Sequence, residues 1–106
     1  MNDKIEQLEK SHADLLQNKK SLEAQISELD EILIENRAEI EIKKSTRVDA
    51  EEERDIVMVQ HLAGEIKILE EETARTQNNL DQIHIVKNIV EAELEGTSKL
   101  LVELKS

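Results

Sequence analysis

The stretch VQHLAGEIKILEEETARTQNNLDQIHIVKNIVEAELEGTSKLLVEL, residues 59–104, decides the fold. In heptads its a positions are Val59, Ile66, Thr73, Leu80, Lys87, Leu94 and Leu101. Its d positions are Leu62, Leu69, Thr76, Ile83, Val90, Thr97 and Leu104. Ten of these fourteen are aliphatic. A seam on a strict seven-residue period marks a helix that coils around another helix. One helix alone cannot bury that seam, so the expected fold of this chain is a contact with a partner.

Toward the N-terminus, residues 3–44 carry a first seam. Ile5, His12, Lys19, Ile26, Leu33 and Ile40 fall at a, and Leu8, Leu15, Leu22, Leu29 and Asn36 at d. Four successive Leu at d with Ile at several a positions is a pattern that favours two parallel strands. Asn36 at d and Lys87 at a are polar residues in an apolar seam. Such residues sacrifice stability and select register, because in other registers they go unpaired.

The two seams do not share a frame. From Ile40 to Val59 is 19 residues, two short of three heptads. A continuous helix absorbs such a slip through a stutter. In the alternative the chain turns back. Lys43 and Lys44 suit a helix C-terminus and Glu51, Glu52 and Glu53 a helix N-terminus. Asp49 with Glu52 reads as a capping pair, and Ser45 and Thr46 as turn residues. The stretch lacks both Gly and Pro, so the sequence favours the continuous helix, with an antiparallel hairpin as the alternative. The expected fold is all-α, a long-helix coiled coil that is oligomeric. It is one segment over 1–106, with seam one at 3–44, a frame break or turn at 45–55, and seam two at 56–106.

Composition supports this class. The chain has 106 residues with no Phe, Trp, Tyr, Pro or Cys and only two Gly. A compact mixed fold normally uses aromatics for their large buried area. Abundant Glu, Leu, Ile, Lys and Ala are good helix formers. The formal net charge of -11 is a poor match for nucleic acid or an anionic membrane. No apolar run reaches the ~20 residues of a membrane span, and MNDKIEQLEK has no apolar signal-peptide core. The expected compartment is intracellular, in the cytoplasm.

Chemistry is poorly represented. His12, His61 and His84 form no i, i+4 pair, and no metal-ligand spacing or phosphate-binding glycine loop occurs. Carboxylates do general acid–base work only in a desolvating pocket, which straight helices lack. No catalytic, cofactor or metal residues are expected, and the chain is not read as an enzyme. The candidate site is a partner interface made of Ile5, Leu8, Leu15, Leu22, Ile26, Leu29, Leu33, Asn36, Ile40, Val59, Leu62, Ile66, Leu69, Leu80, Ile83, Val90, Leu94, Leu101 and Leu104. The expected partner is a second copy or a related coiled-coil chain, and the expected role is a structural scaffold that spaces attached parts. A second apolar row, Ile85, Ile89, Ala92 and Gly96, widens the face over residues 85–104. The alternative role is a helical hairpin or bundle that receives a specific protein there, as in a tethering or adaptor complex.

Overall fold

A computed structural model describes residues 2–106, with side chains from residue 3 onward. Helix α1 spans Asn2–Glu52 and helix α2 spans Ile56–Lys105. Among the described residues there is no strand. Helix formers dominate both elements and no Pro interrupts them, so propensity and the heptad seams agree.

The continuous helix favoured by the sequence is not what forms. The chain breaks at residues 53–55, and the break is built from backbone geometry without Gly. Arg54 takes a left-handed φ of 59°. Its N–H donates to the Glu51 carbonyl at 3.1 Å, and the Asp55 N–H donates to the Ala50 carbonyl at 2.9 Å. This pair of bonds is the Schellman closure of a helix C-terminus, with Arg54 where Gly is usual. Asp55 then begins α2. Its Oδ1 accepts the Met58 N–H at 3.1 Å, and its carbonyl accepts the Val59 N–H at 3.0 Å. One residue therefore closes the first helix and caps the second.

The turn falls later than Ser45 and Thr46, which lie inside α1. Thr46 Oγ1 donates back to the Ile42 carbonyl at 2.9 Å, as a mid-helix Thr does. Asp49 and Glu52 are also helical, so they do not cap α2. Glu51 and Glu52 sit in the last turn of α1, where the macrodipole disfavours them. That penalty is a few tenths of a kcal/mol per exposed acid. Seam burial outweighs it: the first frame runs on through Lys43 at d, Arg47 at a and Ala50 at d, and Ala50 is buried.

The chain divides into two compact units. The turn unit is Glu28–Leu80, a helical hairpin closed by the 53–55 corner. Its helices run antiparallel, since Arg37 reaches Gln77 while Lys44 reaches Glu70. Its buried apolar side chains are Leu33, Ile40, Ala50, Leu62, Ile66 and Leu80. The terminal unit is Met1–Ser27 with Asp81–Ser106. There Glu9 pairs with Lys105 and His12 with Thr97, so these segments are also antiparallel. Val90 and Leu94 are its buried apolar residues. The parallel pairing suggested by Leu at d is thus not the one within the chain.

The frame slip now has a physical reason. A helix that folds back need not keep one register, because the corner separates the two seams. Each seam faces the other helix of the same chain in its own frame.

Candidate protein-interaction site

Burial follows the heptads closely. In α1 the described a and d positions from Ile5 to Ala50 are all half-buried or buried. In α2 every a and d position from Val59 to Leu101 is likewise covered, while Leu104 stays 42% exposed. The residues expected at a partner interface therefore line the inner faces of each helical pair. In the turn unit these are Leu29, Leu33, Asn36, Ile40, Val59, Leu62, Ile66, Leu69 and Leu80. In the terminal unit they are Ile5, Leu8, Leu15, Leu22, Ile26, Ile83, Val90, Leu94 and Leu101. Asn36 is half-buried at d and its Nδ2 has no hydrogen-bond partner.

The turn unit fixes its register with polar pairs on both flanks of the seam. On the e flank Arg37 donates to Gln77 Oε1 at 3.2 Å and Lys44 lies 3.7 Å from Glu70. On the g flank Lys43 donates to Glu65, which also meets His61 one turn earlier. The Lys43 hydrogen bond holds the Glu65 carboxyl below its ordinary pKa, against partial burial, and the charges of Lys43 and His61 add to the effect. The same hydrogen bond raises the Lys43 ammonium, helped by the charges of Glu65 and Glu39 and opposed by desolvation. Arg47 Nε lies 3.5 Å from Glu51 Oε1, an ion pair without hydrogen-bond geometry.

The terminal unit treats its two flanks differently. On the e flank Lys105 pairs with Glu9 at 2.9 Å across the helices. Lys19 and Lys87, both at a, lean outward to Glu23 and Glu91 on this same flank. Lys87 thus snorkels to a local acid. The g flank carries Ser11, Asn18 and Gln25 on α1, and Val86, Glu93 and Leu100 on α2. Two hollows follow it. One of about 550 Å³ is lined by Ser11, Asp14, Leu15, Asn18, Glu93, Gly96, Thr97 and Leu100. The other, about 260 Å³, is lined by Asn18, Ser21, Leu22, Gln25, Val86 and Val90.

Apolar surface also lies outside the seams. Among the described residues fourteen large apolar side chains are exposed, all but Leu104 outside the seams. Ile85 and Ile89 are 60% and 53% exposed, with Ala92 and Gly96 continuing the row on the outer face of α2. Ile34 and Ile42 form a similar outer pair on α1, and Ile56, Val57 and Met58 are exposed beside the corner. A Cβ built on Gly96 or Gly64 meets nothing within 4 Å, so neither glycine serves a close approach inside the chain. The sequence pattern could have located the corner, since Asp55 precedes the apolar run Ile56–Val59 as an N-cap does.

No group of three or more His, Asp or Glu suited to a metal occurs among the described residues. None of the described helices is long and apolar enough to cross a membrane. The fold and its faces define an all-α chain of two long helices whose segments pair antiparallel within each unit. No protein-family model, curated protein or solved structure matches it.

Proposed function

We propose that the chain is a structural assembly module, an antiparallel coiled-coil hairpin that associates with a second copy or a related coiled-coil chain and sets the spacing of parts attached to it. One observation carries this reading: outside the seams, thirteen large apolar side chains stand exposed among the described residues. Contiguous exposed apolar surface marks interaction sites. A two-helix layer also has little core of its own, and such helices gain most of their stability from further packing. The hollows are open and lack the clustered titratable groups that catalysis needs. A second reading rests on Ile85, Ile89, Ala92 and Gly96, a row on which a different protein docks as on a tethering or adaptor module.

Sedimentation equilibrium across a wide loading range separates the two. Self-assembly predicts an apparent mass that rises above the 12.2 kDa of one chain as concentration increases. A mass fixed at one chain at every loading removes self-assembly and leaves pairing with a different chain, related or not.

A further inference from the structure

Resting on the self-assembly reading, we infer that the g flank of the terminal unit is the face on which a second copy docks, giving a four-helix bundle with α1 of each copy over α2 of the other. Three observations on the molecule lead there.

The first is charge. With a net charge of -11, two copies repel over most of their surface. The e flank of the terminal unit is lined by Glu9, Glu23 and Glu91 with the lysines that pair them. The g flank has only Asp14 and Glu93 along both hollows. It is the strip where a docked copy takes the fewest charged side chains out of water.

The second is shape. The hollows run along the line between the helices, with seam residues Leu15, Leu22 and Val90 reached at their floor. Val86 and Leu100 stand exposed on one wall, and Ser11, Ser21 and Gly96 keep the remaining walls low. Gly96 has open space where a Cβ would project, so an incoming helix can approach its backbone. In α2 this glycine costs helix stability with no return inside the chain. A docked helix supplies the return.

The third is area. A face about 25 residues long at ~1.5 Å per residue and two helices wide, about 20 Å, offers about 750 Å² per copy. That is close to the ~800 Å² per partner of a specific interface.

Symmetry then chooses the arrangement. A two-fold axis across the helices stacks α2 on α2, bringing Glu93 of one copy to Glu93 of the other. A two-fold axis along the helices puts α1 of one copy over α2 of the other. Asn18 and Glu93 line the same hollow, so this second operation brings the Asn18 amide of one copy to the Glu93 carboxylate of the other. The amide donates to the carboxylate in place of an acid–acid clash. All neighbouring helices are then antiparallel, the usual up-and-down bundle order.

Single cysteines test this directly, because the chain has none of its own. Full-length N18C and E93C are prepared separately, mixed and oxidised, and the products are read by mass. The arrangement predicts a mixed N18C–E93C disulfide dimer in excess over either homodimer. Predominant E93C–E93C or N18C–N18C products overturn it. Sedimentation of the unmodified chain accompanies the test. A dimer without the mixed disulfide means that another face is used, and the inference falls while self-assembly stands. A chain that remains single means that self-assembly itself falls, and the inference with it. A second variant guards against disulfide artefacts. V86D/L100D alters two exposed positions, so helicity at low concentration is retained. Dimerisation must weaken at least about tenfold, because unpaired carboxylates enter the interface. Unchanged dimerisation in V86D/L100D overturns the inference.

Discussion

In the turn unit, Arg37, Lys43 and Lys44 each reach a side chain on the facing helix, and the two flanks of the seam both carry charge. In the terminal unit the cross-helix ion pair Lys105–Glu9 and the seam lysines all serve one flank. The other flank is lined by Ser, Asn, Gln, Val and Leu with two acids, Asp14 and Glu93, and its hollows reach the seam. Polar pairs distributed on both flanks hold register inside a chain. A flank without them is a surface still open to another helix. The same heptad seam thus supports two outcomes, according to what stands beside it.

The sharpest way to break this comparison is in the cores. Leu33 in the turn unit is 3% exposed, while Leu22 in the terminal unit is only half-buried and borders a hollow. Leu33→Ala should cost about 2–3 kcal/mol, within the range for truncated buried leucines. Leu22→Ala should cost about 1 kcal/mol, in proportion to its smaller burial. Urea melts at low protein concentration measure both, and equal midpoint shifts would remove the distinction between the units.

The corner gives the next effects, of opposite sign. Asp55→Ala removes the cap on Met58 and should destabilise by about 1 kcal/mol. Arg54→Gly relieves the left-handed φ and should stabilise by about 1 kcal/mol. Thermal melts of the two variants should move apart on either side of the unaltered chain. Movement in the same direction contradicts the corner described here.

The glycines sharpen the comparison further. Gly64→Ala and Gly96→Ala should each stabilise the single chain by about 0.5–1 kcal/mol, since both sites are helical with free space. Only Gly96 lines the hollow. Gly96→Ala should therefore also weaken dimerisation in sedimentation, and Gly64→Ala should leave it unchanged.

The smallest effect belongs to Lys43 and Glu65. The folded pKa of Glu65 is lowered, so its contribution is complete above the ordinary 4.5 and is lost as pH falls below that value. The folded pKa of Lys43 is raised, so its contribution is complete below the ordinary 10.5 and is lost as pH rises past it. The pair is solvent-accessible and its effect is screened by salt. The melting difference between the unaltered chain and Glu65→Gln should shrink as pH falls below about 4.5 and as it rises past about 10.5. A difference that grows in acid contradicts the assignment.

Much of the fold could be read from residue order. The a and d sets from Ile5 to Ile40 and from Val59 to Leu101 are the covered positions, because period seven is a property of side-chain order alone. The choice between continuing and folding back was not legible in the same way. The 45–55 stretch is made of helix formers, and the corner uses Arg54 at a position where Gly normally announces the turn. Lys43, Arg47 and Ala50 also hid the end of the first seam, since two of the three are charged. Hydrogen exchange should be fast only near residues 53–58, with 43–50 protected by helix and seam. The outer row Ile85, Ile89, Ala92 and Gly96 was legible as a face. The g flank, which lacks cross-helix ion pairs, was not, because it needs the pairing of two segments that are far apart in sequence.

The fold-back itself is the central claim, and one distance within the turn unit tests it. Asp30 and Asn79 are both exposed and lie on the two arms of the hairpin. Spin labels are placed on cysteines introduced at these positions, in a chain diluted with unlabelled copies. Helices packed about 8–10 Å apart predict a label separation of about 20 Å. An unbroken helix between the same residues predicts about 75 Å at 1.5 Å per residue. A distribution centred near the long value would contradict the hairpin, and with it the assignment of the seams to contacts within one chain.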